Sequence, residues 1–322
     1  MTETNLAQAV EAADAFSAYD TNVKYLLADK QILARILKYA VSEFAEMSID
    51  EIMGSIGEDI EIGERPVDAG LSNLGRVQGL NTEDNVPGEG KLFYDIRFNA
   101  YHKKTEMKIL INVEAQKSSD FRKLGYHLEN RMIFYMARMI SAQKQTEFYQ
   151  SDYDSLKKVR SIWICMDNKE NGDSIEELNL DRRTVFGNRS NSYPVDLMRG
   201  IIINIRDGKN RSESGNILIS MLERLLSQMD VDEKKRILSE EYGMIMTTEL
   251  EGRMRVMCNL SENIAAVAAE RGIKQGIEQG IKSLIEVCRE LGVDKEDTSL
   301  KVAEKFELDE EKLLLFMDKY WI

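Results

Sequence analysis

Apolar and polar residues alternate at period two along Lys91–Lys117, KLFYDIRFNAYHKKTEMKILINVEAQK. This spacing predicts two strands joined by a short loop. In the first, Tyr94, Ile96, Phe98 and Ala100 share one face, and Phe93, Asp95, Arg97 and Asn99 the other. In the second, Ile109, Ile111, Val113 and Ala115 form an apolar face, opposite Asn112, Glu114 and Gln116. An antiparallel hairpin centred on Lys104–Thr105 sets Asp95 directly opposite Glu114, and Phe93 opposite Gln116. Opposed residues have Cβ atoms roughly 4.5–5.5 Å apart, and like charges so placed destabilise the pair. A cation between them resolves the conflict. Lys104–Thr105 lacks the Asn-Gly chemistry of a tight hairpin, so a longer loop with an offset pairing is the alternative.

Elsewhere the pattern is mostly helical. Ile32, Leu33, Ile36, Leu37, Ala40 and Phe44 recur at helical spacing, predicting a first core helix over Asp29–Met47 that carries Glu43. Asp20 or Thr21 is a candidate cap. Glu58–Glu64 reads as a short strand, and the Gly- and Pro-rich stretch Pro66–Gly90 as a long loop leading into the Asp95 strand. Ser118–Asp120 caps an expected helix over Phe121–Lys144, with Leu124, Leu128, Met132, Tyr135 and Met139 on one stripe. Val159–Met166 is nearly all apolar, as in a strand buried on both faces. Asn168–Pro194 reads as an insertion, Ile201–Ile205 as a strand, and Ile217–Leu226 as the first of several helices.

Composition narrows the class. The chain has 322 residues, enough for two domains or one elaborated domain. No apolar run approaches the roughly 20 residues of a membrane span, and Met1–Phe16 lacks the pattern of a signal peptide. The expected location is the cytoplasm. Cys165, Cys258 and Cys288 are widely spaced in apolar settings, which suits a reducing compartment. Two histidines and no Cys-x-x-Cys argue against zinc. The net charge of −13 weighs against a DNA-binding protein, because phosphate neutralisation relies on Lys and Arg. Locally, however, Lys103, Lys104, Lys108, Lys117, Arg122, Lys123 and Arg131 cluster around the acid pair in sequence. The expectation is a basic face on an acidic body.

Asp95 followed by a strand ending in Glu114-Ala115-Gln116 resembles the Asp…Glu-x-Lys core of the PD-(D/E)XK nuclease superfamily. Gln in the Lys position resembles the branch of recombination-promoting nucleases and putative transposases. Tyr19–Leu27 with its Asp20-x-x-x-Lys24, the Arg131-x-x-x-Tyr135 pair, and the segment from Tyr153 through Lys158-Val159 to Ile162 and Ile164 are similar to the same family. The resemblance implies an α/β restriction-endonuclease-like core of helix, three strands, helix and strand, a mixed sheet flanked by helices. It implies domains at 1–18 (leader), 19–230 (nuclease) and 231–322 (helical, for oligomerisation or regulation).

The implied activity is Mg²⁺-dependent hydrolysis of phosphodiester bonds in duplex DNA, with low sequence specificity; Mn²⁺ would substitute. Recombination, mobile-element or antiviral roles follow from the family. Asp95, Glu114 and the Ala115 carbonyl are the implied metal ligands, and Gln116 and Lys117 the residues near the attacking water. Arg131, Lys24, Lys103 and Lys104 are candidate phosphate contacts. For Arg131 a structural salt bridge is the alternative, and for Glu43 either a place in the metal site or a solvated helix position. The other reading is a catalytically weak, oligomeric DNA- or regulator-binding protein that retains the fold. Gly272, Gly276 and Gly280 recur with Ile273, Ile277 and Ile281 on adjoining helical stripes. Each such glycine costs about 1 kcal/mol in a helix, which suggests close helix contact, as in a homodimer, or else a linker.

Overall fold

The computed structural model describes residues 17–58, 60–62, 83–86, 90–102, 107–166, 172–187, 195–206, 214–227 and 229–321. They fall in two compact units, divided between Leu260 and Ser261.

The first unit is built on a six-stranded mixed sheet. Helix α1 (residues 17–27) precedes α2 (Lys30–Ala40), whose amide of Gln31 is capped by Asp29 at 2.8 Å. Asp20 therefore lies inside a helix and does not cap one. A 3₁₀ turn (Ser42–Phe44) and α3 (Ile49–Met53) follow, so Glu43 sits on the turn and not on a helix reaching Met47. The strands are β1 (Glu61–Ile62), β2 (Glu83–Val86), β3 (Gly90–Phe93), β4 (Ile96–His102) and β5 (Met107–Gln116). Then come α4 (Phe121–Leu124), α5 (Leu128–Ser141), β6 (Lys158–Cys165), β7 (Ser174–Asn179) and β8 (Met198–Asn204). The sheet order is β1-β4-β5-β6-β8-β7, with β2 and β3 in a separate ribbon.

Strands β1, β4 and β5 are antiparallel neighbours, and α5 crosses over to β6, which runs parallel to β5. The chain is thus α/β, with the order helix, three sheet strands, helix, strand. The β4–β5 register runs from Ile96↔Val113 to His102↔Met107, the pairing expected from a centre at Lys104–Thr105.

Two helical layers cover the sheet. Ile96, Phe98, Ile109, Ile111 and Val113 face α2. Leu110, Trp163 and Ile202 face Leu128, Met132, Tyr135 and Met139 of α5. The long helix expected from Phe121 is broken at Gly125, whose φ of +77° is the left-handed conformation that ends α4. Strand β7 lies within the stretch read as an insertion. Its outer face is largely exposed, so its sequence carries little apolar alternation.

The first unit extends past 230, where the domain boundary was expected. Helix α6 (Ile217–Leu226) is followed by α7 (Val231–Glu240) and α8 (Thr248–Glu290). Leu238, Met244, Leu250, Met254 and Met257 join the core beneath α2. Arg35 donates to the Tyr242 and Gly243 carbonyls at 2.8 and 3.0 Å. Buried Lys234 donates to the Leu225 and Ser227 carbonyls at the end of α6, where a cation is favourable.

In the second unit, α9 (Lys295–Phe306) and α10 (Glu310–Tyr320) pack Val302 and Met317 with Ile281 and Ile285 of α8. A Cβ at Gly280 would lie 3.1 Å from Phe306 Cζ, so here the repeat admits a neighbour; among the described residues, nothing lies within 4 Å of one at Gly272 or Gly276. No helix among the described residues is long and apolar enough to cross a membrane.

Gly200 on β8 marks the tightest approach of α5 to the sheet. A Cβ there would lie 2.0 Å from Met132 Sδ. Gly200→Ala is expected to cost about 1–3 kcal/mol through overpacking. Urea denaturation checks this, and Met132→Ala in the same chain should recover part of the loss.

Candidate functional site: a buried acid pair at the strand ends

The first strand run bends at Asp95. Phe93 pairs with Glu83 in the β2–β3 ribbon rather than opposing Gln116. Tyr94 turns to the α5 side, edge-on to Tyr135 at 5.4 Å, and so leaves the face of Ile96 and Phe98. The bend brings Asp95 to the end of β5, beside Glu114. The Asp95 amide donates to Glu114 Oε1 at 3.2 Å, and the Ala115 amide donates to Asp95 Oδ2 at 3.0 Å. Asn112 Nδ2 adds a second bond to Glu114 Oε1 at 3.1 Å. The Gln116 carbonyl accepts from Met166 on the β6 side. Successive residues of a strand direct their backbone groups to opposite neighbours, so the Ala115 carbonyl lies on the Asp95 side.

Lys24 comes to the pair from α1. Its ammonium is 2.9 Å from Asp95 Oδ1 and 2.7 Å from Asp20 Oδ2. Asp95, Glu114 and Lys24 are 2%, 0% and 3% exposed. Burial raises the Asp95 carboxyl above its ordinary range, against the pull of Lys24. Burial, then the neighbouring Asp95 charge, raise Glu114 well above its range. Burial works against the Lys24 ammonium too, yet the charges of Asp95 and Asp20 win and hold its proton more tightly than usual. Asp20 and Asp95 thus share the Lys24 ammonium, and Glu114 is bonded instead to the Asp95 amide and Asn112. Glu114 Oε2 and Asn112 Oδ1 are buried with no hydrogen-bond partner among the described residues.

Arg131 is half-buried at the seam of α5 and the sheet. It donates to Tyr126 Oη at 2.6 Å and Tyr135 Oη at 2.9 Å, and lies over the Trp163 ring at 5.3 Å. Its charge favours ionised Glu114, although burial of Glu114 outweighs it. The seam is therefore aromatic, not the carboxylate salt bridge considered from sequence. Gln116 ends β5 half-exposed, two residues on from Glu114 and so on the same face. Lys117 follows it, exposed and just past the strand.

Other expected contributors lie elsewhere. Lys103 and Lys104 fall outside the described residues. Lys108 pairs with Glu147, which removes it from the expected basic face. Glu43 bonds Arg160 and Lys158, joined by Asp196 at 2.9 Å from Arg160. Arg160 sits opposite Ile111, three residues from Glu114 in register, so this network is at the other end of the parallel strands. Sequence reading noted Asn112 only as a polar-face residue. Its signal was a polar side chain between Ile111 and Val113, two positions before Glu114.

The donor set fits a hard divalent cation. Asp95 and Glu114 meet at the end of β5, the Ala115 carbonyl lies on the Asp95 side, and Glu114 Oε2 has no hydrogen-bond partner among the described residues. No group of three or more His, Cys, Asp or Glu side chains that could together hold a metal ion occurs among the described residues, so the rest of such a shell would be backbone, water or substrate.

No family model, curated protein or solved structure matches the chain. The reading therefore rests on this geometry and on the sequence resemblance.

Lys24→Met leaves Asp95 buried without its cation, and is expected to cost about 3–5 kcal/mol. Adding Asp95→Asn should restore much of it, a coupling measured by a double-mutant cycle in urea. Burial opposes ionised Glu43, but the Arg160 hydrogen bond and charge, with Lys158, hold its carboxyl down to about 2, against 4.5 ordinarily. The unfolded chain binds more protons between these values, so the stabilisation is full above about pH 4.5 and fades as pH falls towards 2. Glu43→Gln should cost up to about 3 kcal/mol near neutral pH. Denaturation at about pH 3 should find the variant and wild type much closer together.

Proposed function

We propose that the chain is a metal-dependent nuclease that hydrolyses phosphodiester bonds in DNA. The observation that carries this reading is the buried acid pair, held together at the strand ends with one free carboxylate oxygen and too little positive charge. The element order of the first unit and the β4–β5 register agree with the core that the sequence resemblance implies, and so support it.

Mg²⁺, or Mn²⁺ in its place, would be held by Asp95, Glu114 and the Ala115 carbonyl. Bound there, it supplies Lewis-acid activation of water and neutralises charge at the phosphate. The protein's own groups prepare for this. The Asp95 amide and Asn112 fix Glu114 Oε1, which leaves Oε2 as the available ligand atom. Lys24 favours the ionised form of Asp95 against the effect of burial. Gln116, on the Glu114 face, can orient water through its amide, but brings no charge where the commoner motif has Lys. Arg131, half-buried near Glu114, is the cation best placed to meet a phosphate oxygen.

A second reading has support of its own. Asp95 and Glu114 are almost fully enclosed, and Gln116 is neutral. A fold kept for binding DNA or a regulator, with weak or no catalysis, would carry both features. Its self-association would draw on the exposed Ile273 and Ile277 beside Gly272 and Gly276.

Cleavage separates the two. Supercoiled plasmid should be nicked at low salt with Mg²⁺ and left intact in EDTA. Glu114→Gln and Asp95→Asn should each lose at least about a hundredfold in rate, since the metal's contribution is worth several kcal/mol. Nicking that survives both changes would exclude this site. Binding without cleavage by wild type would move the assignment to the second reading.

A further inference from the structure

Beyond Gln116 the chain turns back across the α5 layer, and two rings there serve no core. Phe121, the first residue of α4, is 50% exposed and belongs to neither apolar cluster of the first unit. His127, just before α5, is also exposed. Gly125, in the left-handed conformation, reverses the chain between them. The rings stack with centroids 4.6 Å apart and planes at 26°. An aromatic placed for packing would be buried; this pair keeps π-surface in solvent.

Its neighbours along the chain are basic on balance. Between residues 117 and 131 lie Lys117, Arg122, Lys123 and Arg131 against Asp120 and Glu129. Two positive charges are in excess here, in a chain of net charge −13. The platform is also connected to the acid pair. Arg131, whose charge acts on Glu114, donates to the hydroxyl of Tyr126, the residue before His127.

We propose that the Phe121–His127 pair, flanked along the chain by Arg122, Lys123 and Arg131, seats an unpaired base of a DNA strand. Exposed aromatic faces among cations recognise single strands, because every base has a π-face while duplex DNA keeps its bases stacked. This rests on the nuclease reading and sharpens it: the substrate is single-stranded or frayed DNA, in place of the intact duplex expected from sequence.

The test is binding, measured in EDTA so that cleavage plays no part. Fluorescence anisotropy would compare a labelled short oligothymidine with its duplex at low salt, with thermal melting to verify folding of each variant. Wild type should bind the single strand more tightly than the duplex. Phe121→Ala should lose roughly tenfold for the single strand, the scale of one stacked base. Phe121→Trp should retain binding. Phe121→Leu, which keeps apolar bulk without a π-face, should behave like Phe121→Ala. Equal or tighter duplex binding, an unaffected Phe121→Ala, a Phe121→Leu that binds like wild type, or no binding at all would each overturn the proposal. Phe121-dependent binding without plasmid cleavage would sink the nuclease reading alone. Cleavage with unaltered single-strand binding by the Phe121 variants would sink the platform alone.

Discussion

The Lys24–Asp95 ion pair is the contact on which the candidate site depends. It ties the first helix to the bend before β4, and it supplies the ammonium that both Asp20 and Asp95 share. A carboxylate 2% exposed cannot stay ionised in such a place without a partner. With Lys24 present, Asp95 is held at the end of β5, where the Ala115 amide and Glu114 meet it. The arrangement is costly to a fold. Two acids and a lysine lose their hydration, and one oxygen of Glu114 has no hydrogen-bond partner among the described residues. Local rules broken in this way are expected where function demands it.

The sheet makes the arrangement possible. β5 lies inside it, between antiparallel β4 and parallel β6. Its residues 109–115 are buried, so both layers of helices meet it. The α2 layer brings apolar mass to Ile109, Ile111 and Val113. The α5 layer brings Tyr135 and Arg131 near Glu114. Asp95 lies in the plane between them, because its chain has bent and its carboxylate accepts from a strand amide. The Glu43–Arg160 network does comparable electrostatic work at the opposite end of the strands, but there the charges are matched. The contrast separates a structural cluster from a candidate site: Glu43 is held well down, whereas Glu114 is pushed well up.

The alternation of Ile96–His102 against Met107–Val113 was legible in the sequence, and with it the register that sets Asp95 beside Glu114. Side chains in a strand alternate strictly, and a slip by one residue would bury the polar set. Other features were not legible. The bend at Asp95 sends Tyr94 to the far layer, although simple alternation would place it with Ile96. Gly125 splits a stripe that reads as one helix, because a single left-handed residue leaves the flanking periodicity intact. Glu43 departs from its predicted helix and pairs with Arg160, a residue over a hundred positions away.

The sequence by itself determined the run of helices and strands, the central hairpin, and the two acids at its end. Those follow from local periodicity, which depends only on near neighbours along the chain. Only the tertiary structure decided which cation serves the acids. Lys24 is separated from Asp95 by the whole of α2 and β1–β3, and its nearness is set by how α1 packs on the sheet. The same holds for the extent of the first unit, where Arg35 and Gln31 of α2 grip the segment at 242–245. Contacts between distant segments arise from packing, and no spacing along the chain encodes them.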